Sequence, residues 1–191
     1  MTESAAPEDA PPDEGVALML RLQAGEETAL RGLMDLWEKP LLRYFARQVA
    51  TFQEAEDLTQ EVFLRLYRGA AQYQPGRTFA AYLFCVARRL LLNHWRTRRR
   101  KPLHLIGDEA LAERADPGTA PERLREEEDI FAHILAELPE NQRSVLLLRV
   151  QQELDYAEIA EILGLTLANV KVLLHRAREG VRTAYRHYEN T

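Results

Sequence analysis

The sequence predicts an all-α protein made of two small helical domains joined by a flexible linker, the second domain being a helix-turn-helix. Apolar residues recur at steps of three and four along most of the chain, and no segment alternates apolar and polar residues as a half-buried strand does. The periodicity stops after Lys101, where glycine and proline residues cluster. We therefore expect a disordered acidic tail over residues 1–14, a first domain over 15–101, a linker over 102–125 and a second domain over 126–188.

Composition points to a selective binder of nucleic acid. The net charge is −5 and 46% of the residues are hydrophobic, so the chain can bury real cores but cannot coat nucleic acid through bulk charge. The first fourteen residues hold five acids and no lysine or arginine. Basic charge is local instead, chiefly at Arg88-Arg89 and Arg96–Lys101. A local basic patch on an acidic protein is typical of a selective binder.

Other function classes find no support in the residues. The single cysteine, Cys85, cannot form an internal disulfide and is expected to be a core thiol. The five histidines show no metal spacing, and neither a catalytic acid pair nor a glycine-rich phosphate loop is evident, so we expect no metal, no cofactor and no enzymatic activity. No apolar run reaches the ~18 residues that cross a bilayer, and no signal peptide precedes the first helix. A cytoplasmic protein without membrane insertion is predicted.

The first domain is expected to contain helices at Gly15–Ala24, at Thr28–Leu42 with a continuation over Leu41–Val49, at Gln53–Tyr67 and at Phe79–Arg99. Pro40 is expected to kink or split the second stretch. Pro75-Gly76 marks a loop over Gln72–Thr78. The second domain is expected to contain helices at Glu122–Glu137, Glu140–Val150, Tyr156–Leu163 and Ala168–Tyr185.

The last two of these segments predict a helix-turn-helix. Asp155 is a good N-cap, and Glu158 completes a capping box. Ala160 is small where two helices must cross closely, and Gly164 supplies the turn. The inner face is expected to hold Tyr156, Ile159, Ala160, Leu163, Val170, Leu174 and Ala177, and the outer face Ala168, Asn169, Lys171, Val172, His175, Arg176 and Glu179.

Side chains of that outer face suit DNA. Asn169 and Arg176 can reach base edges, while Lys171 and Arg178 suit phosphates. The alternative is a plain helical hairpin whose charges are only solvated. The spacing of alanine, glycine and valine favours the DNA-binding interpretation.

The Phe79–Arg99 segment combines an apolar stripe with a basic end. The stripe comprises Phe79, Tyr82, Leu83, Val86, Ala87 and Leu90, and the opposite face Arg88, Leu92, Trp95 and Arg99. An outward tryptophan among arginines can stack on bases while the arginines hold phosphates. The alternative is a basic end that only complements the helix dipole, with Trp95 packed on a neighbour. The residues alone leave both interpretations open.

The Ala55–Tyr67 segment carries an acidic and polar outer face. Leu58, Val62 and Leu66 form its inner face, whereas Asp57, Gln60, Glu61 and Arg65 form the outer one. Such a patch can dock a basic protein or simply be solvated, and the residues alone favour solvation.

Three segments in this order resemble the extracytoplasmic-function (ECF) group of the sigma-70 family, the promoter-specificity subunits of bacterial RNA polymerase. AEDLTQEVFLRLYR is similar to the part that binds the polymerase clamp helices. FAAYLFCVARRLLLNHWRTRRR is similar to the part that melts and reads the −10 element. LPENQRSVLLLRVQQELDYAEIAEILGLTLANVKVLLHRAR is similar to the part that reads the −35 element. The resemblance covers about residues 16–101 and 126–188.

The resemblance implies roles for particular residues. Docking on core polymerase falls to Asp57, Gln60 and Glu61. Contact with the melted −10 strand falls to Gln72, Tyr73, Arg77, Tyr82, Arg88, Arg89, Asn93, Trp95 and Arg96, with the Gln72–Thr78 loop as a pocket for a flipped base. Reading of the −35 duplex falls to Ala168, Asn169, Lys171, Val172, His175, Arg176 and Arg178. The implied partners are core polymerase, through its clamp helices and flap, promoter DNA and an anti-sigma factor.

Two departures from the family pattern bear on DNA reading. Arg89 stands where the family often has asparagine. The family's Gly-Thr-Val-Lys-Ser-Arg-Leu is here Ala-Asn-Val-Lys-Val-Leu-Leu, so Val172 and Leu173 replace a serine and an arginine. Val172 can contact a thymine methyl, or else the −35 contact is weak.

Two rival functions stay open on the sequence alone. One is a free-standing helix-turn-helix regulator whose first domain senses a ligand or dimerises. The other is a sigma-like adaptor that sequesters a partner, an idea that the apolar Val172-Leu173 pair favours.

Overall fold

The computed structural model describes residues 13–100 and 122–189, and every regular element in those ranges is helical. The helices are α1 (Glu14–Gln23), α2 (Thr28–Ala46), α3 (Phe52–Gly69), α4 (Phe79–Arg100), α5 (Glu122–Glu137), α6 (Glu140–Val150), α7 (Tyr156–Leu163) and α8 (Leu167–Glu189). A 3-10 turn, Ala70–Gln72, follows α3. The all-helical prediction is confirmed. The expected tail and linker lie largely outside the described residues, but α1 begins at Glu14 and α5 at Glu122, so helix extends into both predicted segments.

Helices α1–α4 form the first bundle around an aromatic core. Tyr44, Phe45, Phe79 and Phe84 are fully buried, and the ring of Phe84 meets that of Tyr44 edge to face at 5.2 Å. Gly15 lets α1 cross the start of α4 closely, because a Cβ there would lie 2.5 Å from Cδ1 of Phe79. The bundle thereby fixes α4, which carries the basic and aromatic residues of interest.

Pro40 does not split α2, so of the two predicted outcomes, a kink or a split, the split does not occur. The helix runs without a break from Thr28 to Ala46 with the proline inside it. An interior proline removes one backbone hydrogen bond and costs about 3 kcal/mol. Leu33 on one side and Leu41 on the other are both fully buried, and tertiary packing of this kind offsets the cost.

Helices α5–α8 form the second bundle, and it contains the helix-turn-helix. The bounds of α6 and α7 are those predicted from the sequence, because local signals mark them. Asp155 accepts hydrogen bonds from the backbone amides of Ala157 and Glu158, and the Glu158 carboxylate accepts one from the Asp155 amide at 2.9 Å. Gly164 ends α7 in the left-handed conformation, at φ 65° and ψ 39°.

The two bundles are in contact. The principal junction lies between α4 of the first bundle and α7 of the second, and buried side chains of both bundles belong to one continuous core. We call the whole boundary between the two bundles the seam, including the contacts that α6 makes with α4. The seam matters for function because α4 carries many of the residues that are expected to contact DNA.

Candidate nucleic-acid interface

The outer face of α8 is open to solvent while its inner face is anchored. Val170, Leu174 and Ala177 are buried against the rest of the helix-turn-helix, as predicted. Exposed on the opposite side are Ala168, Asn169, Lys171, Val172, His175, Arg176 and Arg178. The seven residues assigned to the −35 duplex therefore share one accessible surface on one rigid helix.

The start of α8 is held in a defined geometry. The Thr166 hydroxyl accepts a hydrogen bond from the Asn169 amide at 3.2 Å. Leu165 is tied back to α7 by a bond from its amide to the Ala160 carbonyl at 2.8 Å. A short turn with both ends bonded fixes the crossing of the two helices, as insertion of one of them into a major groove requires.

The basic and aromatic side chains of α4 differ in their exposure to solvent. Arg89, Asn93 and Arg96 are exposed, as a contact surface for a DNA strand requires. Arg88 is only 5% exposed and Trp95 is half-buried. Arg88 therefore does not point outward in this arrangement, because α6 covers it. Trp95 follows the alternative that the residues left open, with its ring packed on a neighbour.

A hydrogen-bond network accounts for the burial of Arg88. Its guanidinium donates to Oγ of Ser144 at 3.1 Å and to Oδ1 of Asn141 at 2.9 Å, both on α6. It also lies 5.1 Å from the Trp95 ring centroid, in a cation–π arrangement. Trp95 donates its indole N–H to the Gln48 carbonyl at 3.3 Å, and the Gln48 amide donates to Ser144 at 3.1 Å. The network links the segment that follows α2 with α4 and α6.

The loop before α4 is tied down at its start. Gln23 of α1 donates to the backbone carbonyls of Ala71 and Tyr73, at 3.2 and 2.9 Å. Tyr73 is 4% exposed, and its ring meets that of Tyr82 at 4.9 Å. Burial raises the pKa of both phenols above the ordinary value, so both stay neutral at physiological pH. Gln72 and Arg77 are exposed towards the two ends of the loop.

The second bundle reaches the other end of that loop. Arg77 forms an ion pair with Glu161 of α7, and the Thr78 hydroxyl donates to Glu158 of the same helix. Arg77 donates in addition to the Cys85 sulfur at 3.5 Å. Two of the side chains assigned to the −10 strand, Arg77 and Arg88, are therefore engaged across the seam.

The acidic face of α3 lies at the surface. Asp57 and Gln60 are exposed, and Asp57 accepts a hydrogen bond from Gln53 at 3.1 Å. Glu61 forms an ion pair with Arg65 one turn later, at 2.9 Å. The three residues assigned to polymerase docking share this face, with Leu58, Val62 and Leu66 buried beneath them.

The described ranges lack the features of two other protein classes. No cluster of three or more histidine, cysteine, aspartate or glutamate side chains suits a metal ion there. No described helix is long and apolar enough to span a membrane.

Comparisons with known proteins agree on a family. The model for sigma-70 region 2 matches residues 35–101, and that for sigma-70 region 4 matches residues 128–179. The ECF RNA polymerase sigma factor SigF of Caulobacter vibrioides is 33% identical over 165 residues, which cover 84% of this chain and 88% of the relative. The chain belongs to the ECF group of the sigma-70 family.

Two further proteins are similar to this sigma factor. SigW of Bacillus subtilis, also an ECF RNA polymerase sigma factor, is 29% identical over 178 residues, covering 87% of this chain and 94% of the relative. The fold matches that of the sigma factor RpoE of Bartonella quintana, solved in complex with the anti-sigma factor NepR, with a TM-score of 0.65 and 19% identity, over 82% of this chain and 96% of that one.

The sigma factor's sequence does not reveal three residues of the site. Gln48, Asn141 and Ser144 complete the network around Arg88. Gln48 lies outside the three segments that resemble the family, and Asn141 and Ser144 lie inside the third, where nothing in the pattern gives them a role. Ser144 is fully buried at the start of an otherwise apolar run, with Val145–Leu148 following it. A polar residue at the core edge of a helix is the only signal that sequence could have offered, and it does not name a partner.

Proposed function

We propose that this sigma factor binds core RNA polymerase, reads the −35 element as duplex through α8 and captures the melted −10 strand through α4 and the preceding loop. The observation that carries the proposal is the exposed outer face of α8. Seven assigned residues lie there together above a buried anchor of Val170, Leu174 and Ala177. Base-edge and phosphate donors alternate along that face, as major-groove recognition requires.

The −35 contact is expected to include an apolar element. Val172 is 47% exposed in the middle of the face, where a side chain meets base edges. A valine can pack on the methyl group of thymine but offers no hydrogen bond. Asn169 and Arg176 then provide the directional contacts, and Lys171 and Arg178 the phosphate contacts.

At the −10 element, α4 offers stacking and charge together. Arg89, Asn93 and Arg96 are exposed along the helix, and Trp95 is half-buried close to them in sequence. Stacking of an unstacked base on an aromatic ring contributes about 1–3 kcal/mol, which offsets part of the cost of melting. The Gln72–Thr78 loop, with Arg77 near its far end, is the proposed site for a flipped base.

Core polymerase is the proposed partner of two surfaces. The acidic face of α3, with Asp57, Gln60 and Glu61, suits a basic side of the clamp helices. A groove of about 470 Å³ in the second bundle suits the flap, because its lining combines apolar side chains with arginines. Its lining includes Phe131, Leu146, Val150, Val181 and Tyr185, together with Arg182 and Arg186.

The remaining assignments follow from family membership. An anti-sigma factor is a proposed partner, and the RpoE structure of similar fold supports it because that sigma factor was solved in complex with the anti-sigma factor NepR. The protein is proposed to act in the cytoplasm, where the polymerase works. It is proposed to have no catalytic role, since the polymerase forms the phosphodiester bonds.

Run-off transcription with purified core polymerase on a pooled promoter library tests the proposal. We expect discrete transcripts that require this protein, and alignment of their start sites gives the −10 and −35 sequences. Binding to core without any transcript would favour the adaptor function instead. Neither transcripts nor binding to core would favour a free-standing regulator and overturn the proposal.

A further inference from the structure

The Arg88 guanidinium is buried against neutral partners. The side chain is 5% exposed, and its hydrogen-bond acceptors are the uncharged side chains of Ser144 and Asn141. Its Nε atom is buried without a hydrogen-bond partner. A buried charge that is only partly compensated is costly, so this arrangement favours release of Arg88 to an anionic ligand.

A second set of contacts holds the same seam from the other side. Arg77 pairs with Glu161, and Thr78 bonds Glu158, both across to α7. The Arg77 and Glu161 side chains are 39% and 50% exposed, so this pair is screened and contributes little to closure. The other polar contacts of the seam are neutral-acceptor bonds, from Gln48 to Ser144 at 3.1 Å and from Arg143 to the Arg47 carbonyl at 3.4 Å. Among the contacts described across the seam, Arg88 is therefore a buried cation that no carboxylate compensates.

We propose that the free sigma factor is held closed by its own second bundle, with Arg88 as the latch, and that a DNA phosphate competes with Asn141 and Ser144 for its guanidinium. This inference rests on the proposed function, since it takes Arg88 and Arg77 as contacts of the −10 strand. A strand cannot reach Arg88 while α6 covers it. The −35 face of α8 stays exposed in the closed form, so closure blocks strand capture and leaves that face accessible to duplex.

Exchange of its neutral acceptors for a DNA phosphate should strengthen the hydrogen bonds of Arg88. A phosphate gives Arg88 the charged acceptor that Asn141 and Ser144 do not, and charge-assisted bonds are roughly twice as strong as neutral ones. The apparent affinity for the strand falls by the fraction of molecules that are open. Variants that shift only the seam should therefore change strand affinity without touching any strand contact.

Two variants are expected to open the seam. Asn141→Ala combined with Ser144→Ala removes both acceptors of Arg88, and Glu161→Lys sets two cations against each other at Arg77. Asn141→Asp should close it further, because a carboxylate would then face Arg88. The aspartate lies in the first turn of α6, where a negative charge also favours the helix.

Two readouts are needed. Energy transfer between dyes at Asp35→Cys and Tyr188→Cys, in a Cys85→Ala background, reports the distance between bundles. Binding of a fluorescein-labelled single strand with the −10 sequence from the run-off transcripts reports strand capture. We expect the opening variants to lose transfer and to bind the strand about tenfold more tightly, and Asn141→Asp to bind it about fivefold more weakly.

Matched control variants distinguish the effect of opening the seam from the effect of a changed net charge. Glu137→Lys makes the same charge change as Glu161→Lys on α5, at a side chain that is 64% exposed, and should leave transfer unchanged. Adding Arg88→Ala to the Asn141 and Ser144 double variant should abolish the gain in strand binding. A gain that persists there would overturn the role of Arg88.

Failure of the latch and failure of the proposed function are distinguishable. Low transfer in the wild type, equal to that of the opened variants, would overturn the closed form. Opened variants that bind the strand no better, while the wild-type holoenzyme still transcribes, would overturn the competition alone. A wild-type holoenzyme that makes no transcript would refute the proposed function, whatever the energy transfer between the dyes shows.

Discussion

Asp57 is the residue on which polymerase docking is expected to depend most directly. It is exposed on α3 and accepts a hydrogen bond from Gln53, and its carboxylate can exchange that bond for a cation of the partner. Asp57→Ala should weaken binding to core polymerase about tenfold, the usual scale for a charged contact at the centre of an interface. Biolayer interferometry with immobilised core measures the change.

The control for Asp57 is Asp35→Ala, which removes the same side chain from an exposed position on α2. It should leave core affinity within about a factor of two, as expected for a surface residue away from the contact. Equal affinities for the Asp57 and Asp35 variants would remove Asp57 from the docking face.

Trp95 combines a structural contact with the proposed stacking role, and two substitutions separate them. Its indole N–H bonds the Gln48 carbonyl, and its ring lies under Arg88. Trp95→Phe loses the N–H bond but keeps a ring, whereas Trp95→Ala loses both. Promoter opening, measured by permanganate footprinting at matched −35 occupancy, should fall about tenfold for alanine and little for phenylalanine. A purely structural tryptophan would lower thermal stability in both variants and leave opening unchanged at equal occupancy.

At the scale of single helices, the sequence predicted helix bounds most accurately where capping residues, prolines or glycines mark the helix ends. The bounds of α6 and α7 are those predicted, because Pro139, the Asp155 capping box and Gly164 act on their own backbone. The split that Pro40 could have caused does not occur, because burial of Leu33 and Leu41 on either side of the proline outweighs its local cost. Tertiary packing is set by residues distant in sequence, and no local pattern reports it.

The turn of the helix-turn-helix provides an element-scale prediction. Gly164 adopts φ 65°, and no atom lies within 4 Å of a Cβ added there, so backbone strain alone decides the effect. Gly164→Ala should lower the free energy of unfolding by about 1 kcal/mol. Urea denaturation followed by circular dichroism measures it. Because the turn sets the angle of α8, binding to a −35 duplex should weaken as well.

Gly69 offers the matched control for that change. A Cβ at Gly69 also meets no atom within 4 Å, but its φ is −92°, which any residue adopts. Gly69→Ala should therefore leave the free energy of unfolding unchanged or raise it slightly. Equal losses at the two glycines would show that the left-handed conformation is not the cause.

At the scale of the whole molecule, the sequence predicted the two bundles but not the seam between them. Arg88 finds its acceptors more than fifty positions away, in Asn141 and Ser144. On its own helix it stands opposite the apolar stripe, and that position predicts either solvent or DNA. Which one applies depends on what the second bundle covers, and the sequence between the bundles carries no pattern that encodes their placement.

The one cysteine gives a label-free prediction for the seam. Cys85 is half-buried on α4, and burial raises the pKa of its thiol, with the nearby Glu161 carboxylate adding to the rise and Arg77 opposing it. A raised pKa leaves less thiolate at neutral pH, so alkylation by N-ethylmaleimide should be slow in the closed form. When the bundles separate, the thiol gains solvent and loses Glu161, so its pKa falls and the rate rises.

The Asn141→Ala and Ser144→Ala double variant changes no charge near the thiol, so a faster reaction in it reports opening. We expect about a tenfold gain at neutral pH, and the midpoint of the rate against pH should move to lower pH than in the wild type. Mass spectrometry of the alkylated chain follows the reaction, with Asp35→Ala as the variant that should match the wild type. Identical alkylation rates and identical pH midpoints in the double variant and the wild type would mean that Asn141 and Ser144 do not hold the seam closed. Another part of the chain would then have to control the exposure of Arg88 to a DNA strand.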